Sequence, residues 1–410
     1  MKLVRLSTVY PDYQKQFYGH RPGLELESYA TQEEALLYDA FGWADFWKNA
    51  MAPLGYNVFE IIANVEPLQR AWARENNRRQ PGGDWFHRLA ADRIQVLRPD
   101  VLFINDYVSF DRSWIEEIRT RCPSIRLVLG WCGAPFPDAE VFKGYDAVLS
   151  CASELVDMFR QMGHESYHLN HAFDRRILDR IAGTQKVPYD FTFVGQINRQ
   201  SGFHREREKT LLQLVDRTPL TIFSMNSHTG PGKYLMAFLR KSVYSFHSGL
   251  SSLGISEKLL GRIPIISRGP KYHDHPLLPV HLMLKKHLLP PVFGLDMFRV
   301  LSGSKITFNN HVNISLRSSC NMRMFESTGV GTCLLTDHME NTSDLFEPDS
   351  EVVTYRSAEE CVDKALYLLG HPAEREKIAN AAQSRTLRDH SFDVRAQKLD
   401  GIIRERLEKK

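Results

Sequence analysis

The 410-residue chain has little that would tie it to a metal, a membrane core or a nucleic acid. Its six cysteines, Cys122, Cys132, Cys151, Cys320, Cys333 and Cys361, are widely separated, and no two form a CxxC pair. That spacing supports neither a zinc ribbon nor a thioredoxin-like motif, and buried free thiols in a reducing compartment are expected. No run approaches the ~18 apolar residues that a bilayer-spanning helix needs. The start, Met1-Lys-Leu-Val-Arg-Leu, puts charge where a signal peptide has its apolar core, so a cytoplasmic protein is expected. Charge of one sign is scarce too. The formal net charge is +3 and spread along the chain, whereas nucleic acid as the main partner would favour a strong basic stripe. One local basic face, Lys285-Lys286-His287 among leucines, leaves room for peripheral contact with the inner face of a membrane. Ser227–Lys233 lacks the first glycine of a Walker loop and the Ser/Thr after its lysine, so it reads as a solvent loop near a nucleotide base. His273-Asp274-His275 sits among proline and lysine and reads as an exposed loop, so no metal site is expected.

What is present is a soluble, globular composition, 43% hydrophobic and 25% charged, in a chain long enough for two cores. The first half alternates strands and helices. Strands are predicted at Leu3–Val9, Gly55–Ile62, Val101–Asn105, Arg126–Gly130 and Ala147–Ser150, with helices at Gln32–Met51, Trp85–Leu97, Trp114–Arg121 and Glu154–Met162. Gly183–Asp190 reads as a linker. A second alternation follows, with strands at Phe191–Gly195, Leu220–Ser224, Ile306–Phe308, Thr332–Thr336 and Glu351–Tyr355, and an irregular stretch over 227–295. Helices at Ala373–Arg388 and Ser391–Lys410 end the chain. The fold class is α/β, with two Rossmann-like doubly wound domains, 1–185 and 186–388, facing a cleft. A C-terminal helix, 389–410, is expected to pack back on the first domain. Ligands of such sheets bind beyond the carboxyl ends of strands, which points to loops 105–111, 130–138, 195–205, 224–232 and 309–323.

The segment from Lys305 to Asp337 carries the most chemistry. It reads as strand, polar loop, helix start, glycine turn and strand, one βαβ step. Arg323 falls in the first helical turn, where the helix dipole disfavours a cation unless an anion binds between it and the free N–H groups. Glu326, three residues on, shares its face and could accept both hydroxyls of a ribose. A surface ion pair between the two explains the residues equally well. In Gly195-Gln-Ile-Asn-Arg199, backbone N–H groups and Arg199 could meet a diphosphate. Asp106, Asp138 and His171 follow strands and are candidate bases for an acceptor hydroxyl, although Asp at strand ends is also a common cap. Trp131, Phe136 and Tyr107 could stack on a sugar ring or simply fill the core.

Four stretches together resemble the glycosyltransferases of GT-B fold, specifically the CgeB-like group with a family-1/4-type C-terminal domain. They are Phe193-Val-Gly195 with Arg205-Glu-Arg-Glu208, Pro291–Phe298 leading into Ser304–Asn309, Asn321-Met-Arg-Met-Phe-Glu326 with Leu334–Asp337, and Leu345–Asp349 through Val352–Arg356. The resemblance covers about 190–390 firmly and 1–185 more weakly. It implies a nucleotide-diphosphate sugar donor, a saccharide or lipid-linked glycan acceptor, and no cofactor or metal. Glu326 matches the second glutamate of the family's E-x7-E pattern, which binds the ribose. The first falls at Ser318, so its role near the sugar, and with it the retaining outcome, is not carried over firmly. Ser319, Asn321, Arg323, Gly195, Arg199, Arg205 and Asn310 complete the expected donor site. A sugar-nucleotide epimerase or hydrolase, or a non-catalytic nucleotide-sugar binder, are the alternatives on the same fold.

Overall fold

The computed structural model describes residues 1–79, 82–133, 136, 138–183, 188–197, 205–252, 278–311 and 317–409. Two six-stranded parallel sheets dominate it. The first contains β1 (Lys2–Ser7), β2 (Asn57–Ile62), β3 (Val101–Ile104), β4 (Leu127–Trp131), β5 (Ala147–Ser150) and β6 (Ser166–His168), in the order β2-β1-β3-β4-β5-β6. The second contains β7 (Tyr189–Val194), β8 (Leu220–Phe223), β9 (Leu288–Leu289), β10 (Ser304–Asn309), β11 (Cys333–Asp337) and β12 (Val353–Tyr355), in the order β12-β11-β10-β7-β8-β9. The central strands are apolar on both faces, as helices on both sides require. Strand order reverses between β1 and β3 in the first sheet and between β7 and β10 in the second. Both junctions are directly hydrogen-bonded, with Leu6 opposite Ile104 and Thr307 opposite Thr192.

Two expectations are corrected. The helix predicted over Gln32–Met51 is two helices, Tyr29–Tyr38 and Phe46–Met51. Between them Ala40, Gly42 and Ala44 take positive φ (59°, 65° and 37°), and the Ala44 carbonyl accepts a bond from Arg5 Nη2 at 2.9 Å. A tertiary contact therefore overrides the helical periodicity. The stretch expected to be irregular holds a 22-residue helix, Pro231–Ser252, with proline at its first position, where no N–H is needed. The expected linker lies partly outside the described residues.

The two sheets are joined by shared packing. The helix Phe392–Glu408 lies on the first sheet's domain, where Phe392 meets Phe46 and Trp47 with ring centres 5.0 and 5.2 Å apart. Tyr56 donates to Asp400 at 2.7 Å, and Arg406 pairs with Glu165 at 3.1 Å. Burying a phenylalanine of this kind contributes about 1.5–3 kcal/mol. At Gly294 (φ 52°) the second domain approaches the first so closely that a Cβ would lie 2.2 Å from Asp39 Oδ2.

Candidate donor and acceptor cleft

A cleft of about 480 Å³ lies between the domains. Its lining includes the strand ends at the two reversals: Ser7 at the end of β1 and Thr8 after it, Asn105 after β3, Gly195 after β7, and Asn309 at the end of β10 with Asn310 after it. A crevice opens at each reversal because the crossovers leave on opposite faces there.

The second domain's wall is built on the helix Met322–Gly329. Glu326 is only 7% exposed, and its Oε2 lies 2.8 Å from Arg323 Nη1. The pair foreseen from the sequence exists, but on the cleft wall rather than on an open surface. Burial pushes the Glu326 carboxyl above its ordinary range, and the Arg323 guanidinium opposes that push. Asn321 stands at the helix N-cap without capping it. Instead its Nδ2 donates to Asn309 Oδ1 at 2.7 Å, while its own Oδ1 is buried without a partner. Arg323 Nε is likewise buried and unpaired. An acceptor and a donor thus stand unsatisfied on one cleft wall, at a helix N-terminus. Such groups are costly to bury unless a ligand meets them.

Arg207, which sequence reasoning passed over, also lines the cleft. Its guanidinium donates to the Gln196 carbonyl at 3.0 Å and to the Asn310 carbonyl, so it ties the loop after β7 to the end of β10. Burial pulls its pKa down to about 10, which leaves it charged at neutral pH. The signal was available: Arg207, Leu211 and Leu214 follow i, i+4, i+7 spacing and all three are buried. Arg205 begins that helix, Arg205–Arg217. Arg199 and His273–His275 lie outside the described residues. Asn310 lines the cleft and is held by Asp337, which accepts from its Nδ2 at 3.2 Å and from His311 Nδ1 at 2.7 Å. Burial would lower the His311 pKa, but the Asp337 carboxylate raises it.

The first domain's wall is aromatic and uncharged at its centre. His171 lines the cleft with its ring 5.1 Å from Trp131 and 5.9 Å from Trp43. Burial, and then the charge of Arg395, hold its pKa down to about 3, so it is neutral at pH 7. Its Nδ1 and the nearby cleft residue Asn105, through Oδ1, are buried without partners. Arg5 reaches the same wall, but its charge is taken up by buried Glu60.

The other candidates sit elsewhere. Asp106 accepts from Thr8 Oγ1 at 2.9 Å and from the Ser109 N–H at 3.0 Å, one bond behind the lining. Asp138 caps the short helix Ala139–Gly144, accepting from the Glu140 N–H at 2.9 Å. Both are strand-end caps outside the cleft lining. Ser319 is fully buried under the helix, against Thr342 Oγ1 at 3.1 Å. Ser318 is spent on the interdomain seam, where it donates to Glu154 and meets Ser153 Oγ at 2.8 Å. Phe136 and Tyr107 both pack on Phe142 as core.

Residues 250–401 match the model of a family described as glycosyl transferase-like. No curated protein matches the chain. Among solved structures, sucrose-phosphate synthase from Thermosynechococcus elongatus is 8% identical with a TM-score of 0.54, covering 100% of each chain. HepE from Anabaena, in complex with UDP and glucose, is 12% identical with a TM-score of 0.54 over 99% of this chain and 100% of that one. A glycosyltransferase from Rickettsia africae is 9% identical with a TM-score of 0.53 over 100% and 99%. At these identities the likeness is one of fold. The chain has the GT-B architecture of these proteins and carries a glycosyl transferase-like region in its second half.

Proposed function

We propose that the protein is a glycosyltransferase that moves a sugar from a nucleotide-diphosphate donor to a hydroxyl of a saccharide or glycan-type acceptor. The observation that carries this reading is the buried Glu326–Arg323 pair in a cleft fed by both strand-order reversals. Glu326 would accept the ribose hydroxyls. Arg323, Arg207 and the free N–H groups of the helix Met322–Gly329 would face the diphosphate and stabilise it as it leaves, without calling on a metal. The acceptor would lie on the Trp43–Trp131 wall. There a neutral His171 would orient its hydroxyl by accepting a hydrogen bond, since an imidazole held near pKa 3 is a weak base. Drawing the domains together would exclude water. The CgeB-like placement and a retaining outcome belong to this proposal as well, and the anomeric configuration of the product decides the latter.

The test is release of nucleoside diphosphate from a panel of nucleotide sugars offered with saccharide acceptors. UDP-glucose comes first, because HepE is seen with UDP and glucose. Acceptor-dependent release with a glycosylated product supports transfer. Conversion of the donor without any acceptor supports an epimerase or hydrolase instead.

A further inference from the structure

The helix Pro231–Ser252 has no part in the cleft, yet it displays Leu235 (61% exposed), Phe238 (60%), Leu239 (49%) and Phe246 (58%). Leu235, Leu239 and Phe246 follow i, i+4, i+11 spacing and so form one stripe, with Phe238 at its edge. Lys233, Arg240 and Lys241 are exposed around the rest of the helix. No acidic residue occurs between Asp216 and Glu257. The short helix Leu282–Lys285 extends the patch: Lys285 Nζ stands 4.4 Å from the centre of the Tyr234 ring, Leu282 is 62% exposed, and Lys286 follows. A surface helix normally turns its apolar stripe inward, so a stripe left outside, with exposed cations on the opposite face of the helix and Lys285 beside it over Tyr234, marks an interaction surface.

Charge selects the occupant. A second copy docking by two-fold symmetry would press the same acid-free, cation-bearing surface against itself, with no carboxylate of the helix to meet Lys285 and Lys286. A bilayer with anionic lipids suits both features, because the stripe can enter the acyl boundary while lysine and arginine meet the headgroups. We propose that the helix Pro231–Ser252, with Leu282, Lys285 and Lys286, lies on an anionic membrane surface and anchors the protein there. The proposal stands on residues outside the cleft and is independent of the sugar-transfer reading.

Co-sedimentation with phosphatidylcholine vesicles, with and without phosphatidylglycerol, tests it. The protein should pellet with the anionic vesicles, release as salt is raised, and stay in solution with phosphatidylcholine alone. Leu235→Ser, Phe238→Ser and Leu239→Ser combined should weaken partitioning by at least about tenfold while leaving the melting midpoint unchanged, since these side chains are exposed. A wild-type protein that ignores anionic vesicles overturns the proposal. So does a concentration-dependent dimer in sedimentation velocity that the triple variant abolishes, because the stripe then belongs to a second copy.

Discussion

Burial decides what the ionisable residues of this protein do. His171 and His390 are held at about 3 and about 4, first by desolvation, with Arg395 adding to it in both cases. Their folded pKa values lie below the ordinary histidine value, so between the two values the unfolded chain binds more protons. The contribution of these two histidines to stability should be complete above about pH 6.5 and should fall as the pH drops through that range, by up to ~1.4 kcal/mol per pH unit for each, against the opposite slope of Asp39 and Glu60, whose carboxyls burial raises to about 6 and about 7. Urea midpoints of the wild type and of a His171→Phe, His390→Phe variant, measured from about pH 7.5 to 4.5, check this: the wild-type midpoint should fall relative to that of the variant as the pH drops, and a constant difference would contradict it. Sequence reasoning located Glu326, Arg323, Asn321, Asn310, Gly195 and His171 at the cleft, because strand ends and helix starts are legible from turn residues and apolar spacing. Asp106, Asp138 and Ser319 lie outside the cleft lining: the two aspartates accept backbone N–H bonds in turns, a role that calls for the same residue type as a base, and Ser319 is buried against Thr342. Arg207 was within reach through helical spacing, whereas the roles of Arg5 and Asn105 depend on partners far away in the chain.

At the scale of elements, the helix Met322–Gly329 is fixed at its far end. Gly329 approaches Phe173 so closely that a Cβ would fall 2.3 Å from the ring. Because the nearest atom is Cγ, the part of the ring closest to the backbone, the side chain cannot swing away cheaply. Gly329→Ala should cost about 1–3 kcal/mol and lower the urea midpoint. It should also weaken donor binding, since the same helix carries Arg323 and Glu326. An unchanged midpoint would show that the ring relaxes freely. Most strands and helices could be read from periodicity and punctuation, down to the helix Trp85–Leu97. The break at residues 39–45 was signalled by Gly42 and passed over, while the positive φ of Ala40 and Ala44 carries no sequence signal and goes with the contact that Arg5 of β1 makes with the Ala44 carbonyl. The helix Pro231–Ser252 was hidden by scattered glycine, serine and histidine, which suggest a loop although its interior tolerates them.

For the whole molecule, two doubly wound sheets place their strand-order reversals on opposite sides of one cleft. The C-terminal helix returns across the first domain and fastens the two together. The two walls differ in chemistry as a result. One carries the Arg323–Glu326 pair at a helix N-terminus together with Arg207, and the other carries aromatic and amide groups with the charge of Arg5 taken up by Glu60. The central claim is that the charged wall holds a nucleotide sugar through Glu326. Isothermal titration calorimetry of UDP-glucose and related nucleotide sugars against the wild type and Glu326→Gln tests it most directly. The expected result is saturable binding of a nucleotide sugar to the wild type, at least about tenfold weaker in the variant, with the same circular dichroism spectrum. Equal affinity in the two proteins, or no binding of any nucleotide sugar by the wild type, would contradict it.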